Sequence, residues 1–163
     1  MLFRSTAKIQ CRIDSQPFAD CSTPKTFTAL TEGPHTATFR AEDAAGNQDQ
    51  TPATRTFTVD TTPPDTTINT GPTGTISTDQ ATFTFAGNPS GDTAKIQCRI
   101  DSQPFADCST PKTFTALTEG PHTATFRAED AAGNQDQTPA TRTFTVDTTP
   151  VSYTHLDVYK RQG

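Results

Sequence analysis

The chain has 163 residues, of which 31% are hydrophobic and 19% charged, with threonine at about a fifth, 13 prolines, no Trp and a net charge of -5. It contains no apolar run long enough to cross a membrane, and its acidic balance with scattered Lys and Arg disfavours a nucleic-acid partner. Such a composition belongs either to a disordered chain or to thin β-sandwiches with threonine on their outward faces, and alternation within the segments decides for the second.

Thr6 to Pro63 and Thr93 to Pro150 are identical at every position, at a constant offset of 87. Two identical copies mark a very recent duplication or a sequence-assembly event, and both origins stay open. Only "MLFRS" precedes the first copy, whereas "DTTINTGPTGTISTDQATFTFAGNPSGD" precedes the second. Residues 1–60 are therefore read as a repeat lacking its first two strands, with Met1 an internal or assumed start. Residues 61–64 form a short linker in which Pro63 and Pro64 fix φ and favour a semi-rigid extended path.

Residues 65–150 are read as one complete repeat. Ala81, Phe83 and Phe85 alternate with Thr82 and Thr84, and Ile96, Cys98 and Ile100 alternate with Lys95, Gln97 and Arg99. This is the two-residue period of a half-buried strand. It recurs at His122, Ala124, Phe126 and Ala128, and at Phe144 and Val146. Turn clusters separate the runs, and no segment carries helical apolar spacing. Strands are predicted at Thr66–Asn69, Ala81–Phe85, Ala94–Ile100, Gln103–Asp107, Lys112–Leu117, His122–Ala128 and Arg142–Val146. The expected core is Ile68, Phe83, Phe85, Ile96, Ile100, Phe114, Leu117, Phe126, Phe144 and Val146. Seven strands in about 87 residues suit an all-β, antiparallel, immunoglobulin-like sandwich. In the first copy the missing strands should leave Ile9, Phe39 and Phe57 partly uncovered.

In "CRIDSQPFADC" the cysteines stand ten apart on either side of a predicted turn. The local pairings, Cys11 with Cys21 and Cys98 with Cys108, need the least chain rearrangement of the three available to four cysteines. Each would tie a hairpin and contribute about 2.5 to 3 kcal/mol on the chain-entropy argument. Such bonds place the chain outside the cytosol, secreted or at a cell surface. A reduced pair of buried thiols is the alternative, and no Cys or His spacing fits a metal-ligand set.

The tail Val151 to Gln162, "VSYTHLDVYKRQ", can be encoded by two transposase mosaic-end adaptors joined head to head, of the kind used to prepare sequencing libraries. Identity between the copies stops at Pro150, so residues 151–163 are expected to be translated adaptor outside the fold. A native polar extension is the alternative.

The stretch "KIQCRIDSQPFADCSTPKTFTALTEGPHTATFRAEDAAGNQDQTPATRTFTVDTTPP" carries a resemblance. It resembles the bacterial Ig-like, fibronectin type III-like repeats found in tandem in large secreted and surface proteins. The marks are a C-x-[LIV]-D strand, a second Cys before S-x-P, a G-x-H-T strand start, an R-A-x-D-x-A-G-N turn and a T-F-x-V-D-x-T-x-P end. Arg127, Ala128, Asp130, Gly133 and Asn134 match the fourth of these. The resemblance covers Asp65 to Pro150 fully and Thr6 to Pro63 in part. It implies tandem sandwiches and neighbouring Ig-like repeats as partners, and no activity.

His35 and His122 follow a Gly-Pro corner, where a side chain can hydrogen-bond back to the preceding loop, and a structural role is favoured over a ligand or base role. Glu129, Asp130, Asn134 and Asp136 could offer oxygens to calcium. They fit no EF-hand spacing, and a plain turn with Gly133 and Asn134 at positive φ is the favoured reading. No other cofactor is expected. The titratable groups form no convergent set, so an enzyme is disfavoured. The function expected is a structural spacer or stalk repeat. The alternative is a binding or adhesion module, for carbohydrate or a surface protein, attached to an exported enzyme or adhesin. The copies lack Trp and Tyr for stacking on sugars, both tyrosines lying in the tail.

Overall fold

A computed structural model describes residues 8–89 and 91–151, and the adaptor reading of the tail falls outside them from residue 152 onward. Among the described residues the chain is all β. It divides into two compact units, Met1–Thr61 and Thr62–Gly163.

The first unit is one antiparallel sheet. Its strands β1 (Lys8–Ile13), β2 (Ala19–Cys21), β3 (Gly33–Glu42) and β4 (Ala53–Val59) lie in the order β2-β1-β3-β4. Cys11, Ile13, His35 and Ala37 point to one face by the alternation of the strand, and they are its most buried residues apart from Thr38. Ile9 and Phe57 remain 46% and 37% exposed on that face, and Phe39 is half-buried, the partial exposure expected of these three residues. A groove of about 280 Å³ lined by Ile9, Cys21, Thr23, Lys25 and Phe39 marks the uncovered side.

The second unit is a two-layer sandwich. One layer contains β5 (Asp65–Thr70), β7 (Ala81–Asn88) and β10 (Lys112–Phe114), in the order β10-β7-β5. The other contains β6 (Gly74–Ile76), β8 (Thr93–Ile100), β9 (Ala106–Cys108), β11 (Gly120–Asp130) and β12 (Ala140–Val146), in the order β6-β12-β11-β8-β9. The core is Ala81, Phe83, Phe85, Cys98, Ala124, Phe126, Phe144 and Val146, with Ile68, Ile76, Ile96, Ile100, Phe114 and Leu117 packed around it. Phe83 is central, its ring lying 5.4 Å from Phe126, 5.8 Å from Phe144 and 6.0 Å from Phe114. Thr66, buried on β5, accepts a 2.7 Å hydrogen bond from the Ala128 amide on β11 and so ties the two layers together.

Two predicted strands are shorter in the structure, and one observed strand was not predicted. The strand expected at Gln103–Asp107 begins at Ala106, because the turn runs on through Gln103, whose amide bonds the Ile100 carbonyl at 3.1 Å. The strand expected over Lys112–Leu117 stops at Phe114, where pairing with β7 ends. An eighth strand, β6, was not foreseen, and it pairs parallel with β12, from Phe144↔Gly74 to Val146↔Ile76. The chain crosses from one layer to the other at Gly71 and Pro72. A Cβ on Gly71 would lie 2.2 Å from the Phe83 ring, so only glycine fits that crossing.

Candidate functional site

The cysteines join as the spacing suggested, Cys11 to Cys21 and Cys98 to Cys108, each with Cα atoms 6.0 Å apart. In the second unit the bond staples β8 to the short edge strand β9, and Cys98 belongs to the core.

At the far end of that hairpin lies a cluster of polar bonds. Asp101 takes a positive φ of 52° at the end of β8, which turns its carboxylate toward the start of β11. One oxygen accepts the Thr123 amide at 2.8 Å, and the other stands 2.8 Å from Nδ1 of His122. His122 Nε2 is 2.8 Å from the Thr118 carbonyl, the bond back to the preceding loop that its corner position implied. The ring lies 5.8 Å from Phe144 and is 7% exposed. The first unit repeats the arrangement with Asp14, Thr36, His35 and Thr31, at 2.7 to 2.8 Å.

Both neighbours of the ring are acceptors, so the imidazolium, which donates from both nitrogens, suits the site better than either neutral tautomer. The Thr118 carbonyl and then the Asp101 carboxylate raise the His122 pKa above its ordinary 6.5, against a smaller effect of burial. Burial opposes ionisation of Asp101, but the Thr123 amide and the His122 ring outweigh it and hold the carboxyl below its ordinary range. The sequence reading missed Asp101 as the partner of His122, because twenty-one residues separate them. The available signal was that His35 and His122 each have an Asp twenty-one residues before them, Asp14 and Asp101.

The acidic turn is held by its own side chains. Asp130 Oδ1 accepts the Asn134 amide and Oδ2 accepts the Asn134 side-chain Nδ2, both at 2.8 Å. Gly133 has a positive φ of 94° as expected, but Asn134 does not, which corrects the sequence reading. Asp130 holds both the backbone amide and the side-chain amide of Asn134 without a left-handed backbone there. Glu129 is drawn away to Lys95 at 2.9 Å and to Gln135 at 2.7 Å. Asp136 is 5% exposed and accepts the Thr138 amide on Oδ1 at 2.7 Å, while its Oδ2 is buried without a hydrogen-bond partner.

The chain is similar to known proteins at two levels. No curated protein matches it. Among solved structures it is similar to fibronectin(III)-like modules of Clostridium thermocellum CbhA, at 13% identity and a TM-score of 0.56, covering 96% of this chain and 87% of that one. It is also similar, at 15% identity and a TM-score of 0.25, to SGBP-B of the Bacteroides ovatus mixed-linkage glucan utilization locus, solved in complex with a mixed-linkage heptasaccharide, covering 86% of this chain but only 37% of that one. The first likeness bears on the fold alone. A family model described as bacterial Ig-like domain (group 3) matches residues 25–88, and a model described as bacterial Ig-like domain matches residues 65–148. The chain therefore belongs to the bacterial Ig-like domains, built as a fibronectin III-like β-sandwich.

Proposed function

We propose that the chain is a non-catalytic spacer or stalk repeat of a larger protein, secreted or held at a bacterial cell surface. One observation carries this reading: the titratable side chains that a reactive site would need are bonded to the chain's own backbone. His122, Asp101, Asp130 and Asp136 each hold a turn or a strand start. The two disulfides support an oxidising compartment. We take residues 1–60 as a truncated repeat, 61–64 as linker and 65–150 as the complete repeat, with neighbouring repeats as its partners.

A spacer needs a stiff join, and "VDTTPPDTT" supplies one, because a Pro-Pro pair favours an extended backbone at about 3.1 Å per residue. The test is small-angle scattering on two complete repeats joined by this sequence. Pro63 is exposed, whereas Pro64 is buried, so Pro63→Gly loosens the join without disturbing the fold. The native join should give the longer and narrower distribution of distances. A compact particle, or no response to Pro63→Gly, would move weight to a binding module for a carbohydrate or protein partner.

A further inference from the structure

The outward face of the five-stranded sheet carries a feature that a spacer does not need. Arg99 on β8 and Arg127 on β11 project away from the core, since they alternate with Cys98, Ile100, Phe126 and Ala128. Both guanidinium carbons lie over the ring of Phe105, which sits in the turn before β9, at 4.5 and 4.1 Å from its centroid. Arg127 is held from behind: Nε and Nη2 both donate to Gln97 Oε1, at 2.9 and 2.7 Å, and Gln97 donates to Asp107 at 2.9 Å. The first unit builds the same platform from Arg12 and Arg40 over Phe18, at 4.6 and 3.8 Å, with Gln10 behind Arg40 at 2.9 Å.

The lysines and arginines of this face are treated differently. Lys8 and Lys95 each pair with a glutamate at 2.9 Å. Among the described residues Arg12 and Arg99 make no hydrogen bond or ion pair, and the Nε of each is buried and unsatisfied. This occurs in a chain with 18 acidic residues against 13 basic ones, so carboxylates are not scarce. With Nε buried, the terminal nitrogens of Arg12 and Arg99 are what each guanidinium has left to offer, and a planar fork fixed by an aromatic ring is pre-organised for a planar carboxylate.

We propose that the Arg99–Phe105–Arg127 platform, with its counterpart Arg12–Phe18–Arg40, binds the carboxylates of an acidic polysaccharide. The face selects a glycan over an acidic peptide. β8 and β11, which carry the arginines, are interior strands with neighbours on both sides, and the sheet edge nearest the platform is only the three residues of β9, too short a template for a peptide to extend. What the face offers instead is guanidinium, amide and hydroxyl side chains: Arg99, Arg127, Gln97 and Thr123. One platform per repeat makes weak single contacts additive along a repeating polyuronate.

The experiment is affinity electrophoresis of the full chain through gels containing polygalacturonate, dextran or polyglutamate. The wild-type chain should be retarded by polygalacturonate and by neither of the other two. Arg12→Gln with Arg99→Gln should weaken retardation about tenfold or more, the loss of one charge-assisted fork per platform. Arg12→Lys with Arg99→Lys keeps the charge and should still weaken it, because an ammonium makes no planar fork. Arg55→Gln with Arg142→Gln removes the same charge elsewhere and should leave it unchanged. Equal loss in the Arg55/Arg142 variant, retention of full binding by the lysine variant, no retardation at all, or stronger retardation by polyglutamate would each overturn the proposal. None of these results bears on the stiffness of the join, so the spacer reading stands or falls separately.

Discussion

The ring of Phe83 packs against that of Phe126 with centroids 5.4 Å apart, joining the centre of one layer to the centre of the other. Phe39 occupies in the first copy the place of Phe126 in the second, but it has no such partner layer above it and is half-buried. The same residue type in the same local sequence thus has two different energetic roles.

Phe126→Ala in residues 65–150 should destabilise the unit by about 3 to 5 kcal/mol, a large part of the stability of a domain this size. Phe39→Ala in the full chain should leave the unfolding of the first unit almost where it was. Urea unfolding followed by circular dichroism compares the two, and equal losses would show that the first unit buries Phe39 in solution.

Limited proteolysis should cut the first unit well before the second. Its sheet leaves Ile9 and Phe57 open, and among the described residues β4 is an edge strand with no partner on its outer side. Equal protection of both units would mean that another strand covers the first.

Removing the staple by Cys98→Ser with Cys108→Ser should lower the stability of residues 65–150 by about 2.5 to 3 kcal/mol, the loop-closure contribution for a span of this length. The β7 to β10 pairing lies in the other layer and should survive, so amide exchange should quicken first in β8 and β9.

The His122–Asp101 pair predicts a stability plateau with two edges. The folded pKa of His122 is raised, so its contribution is complete below the ordinary value of 6.5 and is lost as pH rises through the folded value. The folded pKa of Asp101 is lowered, so its contribution is complete above the ordinary 3.8 and is lost as pH falls through the folded value. Thermal melts of residues 65–150 should therefore be highest between about pH 4 and 6.5. His122→Gln should flatten the alkaline side and also make the acid side shallower, because the ring is one of the groups that hold the Asp101 carboxyl low, while the Thr123 amide remains. A melting temperature that rises from pH 6 to 8 in the wild-type unit would contradict the imidazolium reading.

Calcium should leave the melting temperature of residues 65–150 unchanged at millimolar concentration, since Asp130 already spends both carboxylate oxygens on Asn134. An upward shift would draw attention to the buried, unpartnered Oδ2 of Asp136.

The period-two pattern was enough to place most strands, because each has one buried face and its apolar residues cannot change sides without losing it. What the pattern does not carry is the partner. Lys25 to Phe27 and Lys112 to Phe114 read identically, yet only the second forms a strand, because only the second has Ala81 to Phe83 beside it. Asp49 and Asp136 are likewise the same residue in the same turn, one exposed and one 5% exposed. The strand β6 was invisible for another reason: at three residues beside a Gly-Pro turn it shows no alternation. The Asp101–His122 bond and the arginines over Phe105 are contacts across strands, which depend on register and escape any window along the chain.

The parallel pairing of β6 with β12 gives the complete repeat a mechanical character. The chain enters through β5 and β6 and leaves through β12, so tension applied at the two ends drags these parallel neighbours in opposite directions along their length. Their cross-strand bonds, with the Asp147 amide to the Ile76 carbonyl at 2.9 Å, then carry the load together in shear. A module clamped this way holds its length under pull and yields abruptly, where an antiparallel hairpin pulled from its open end would unzip one bond at a time.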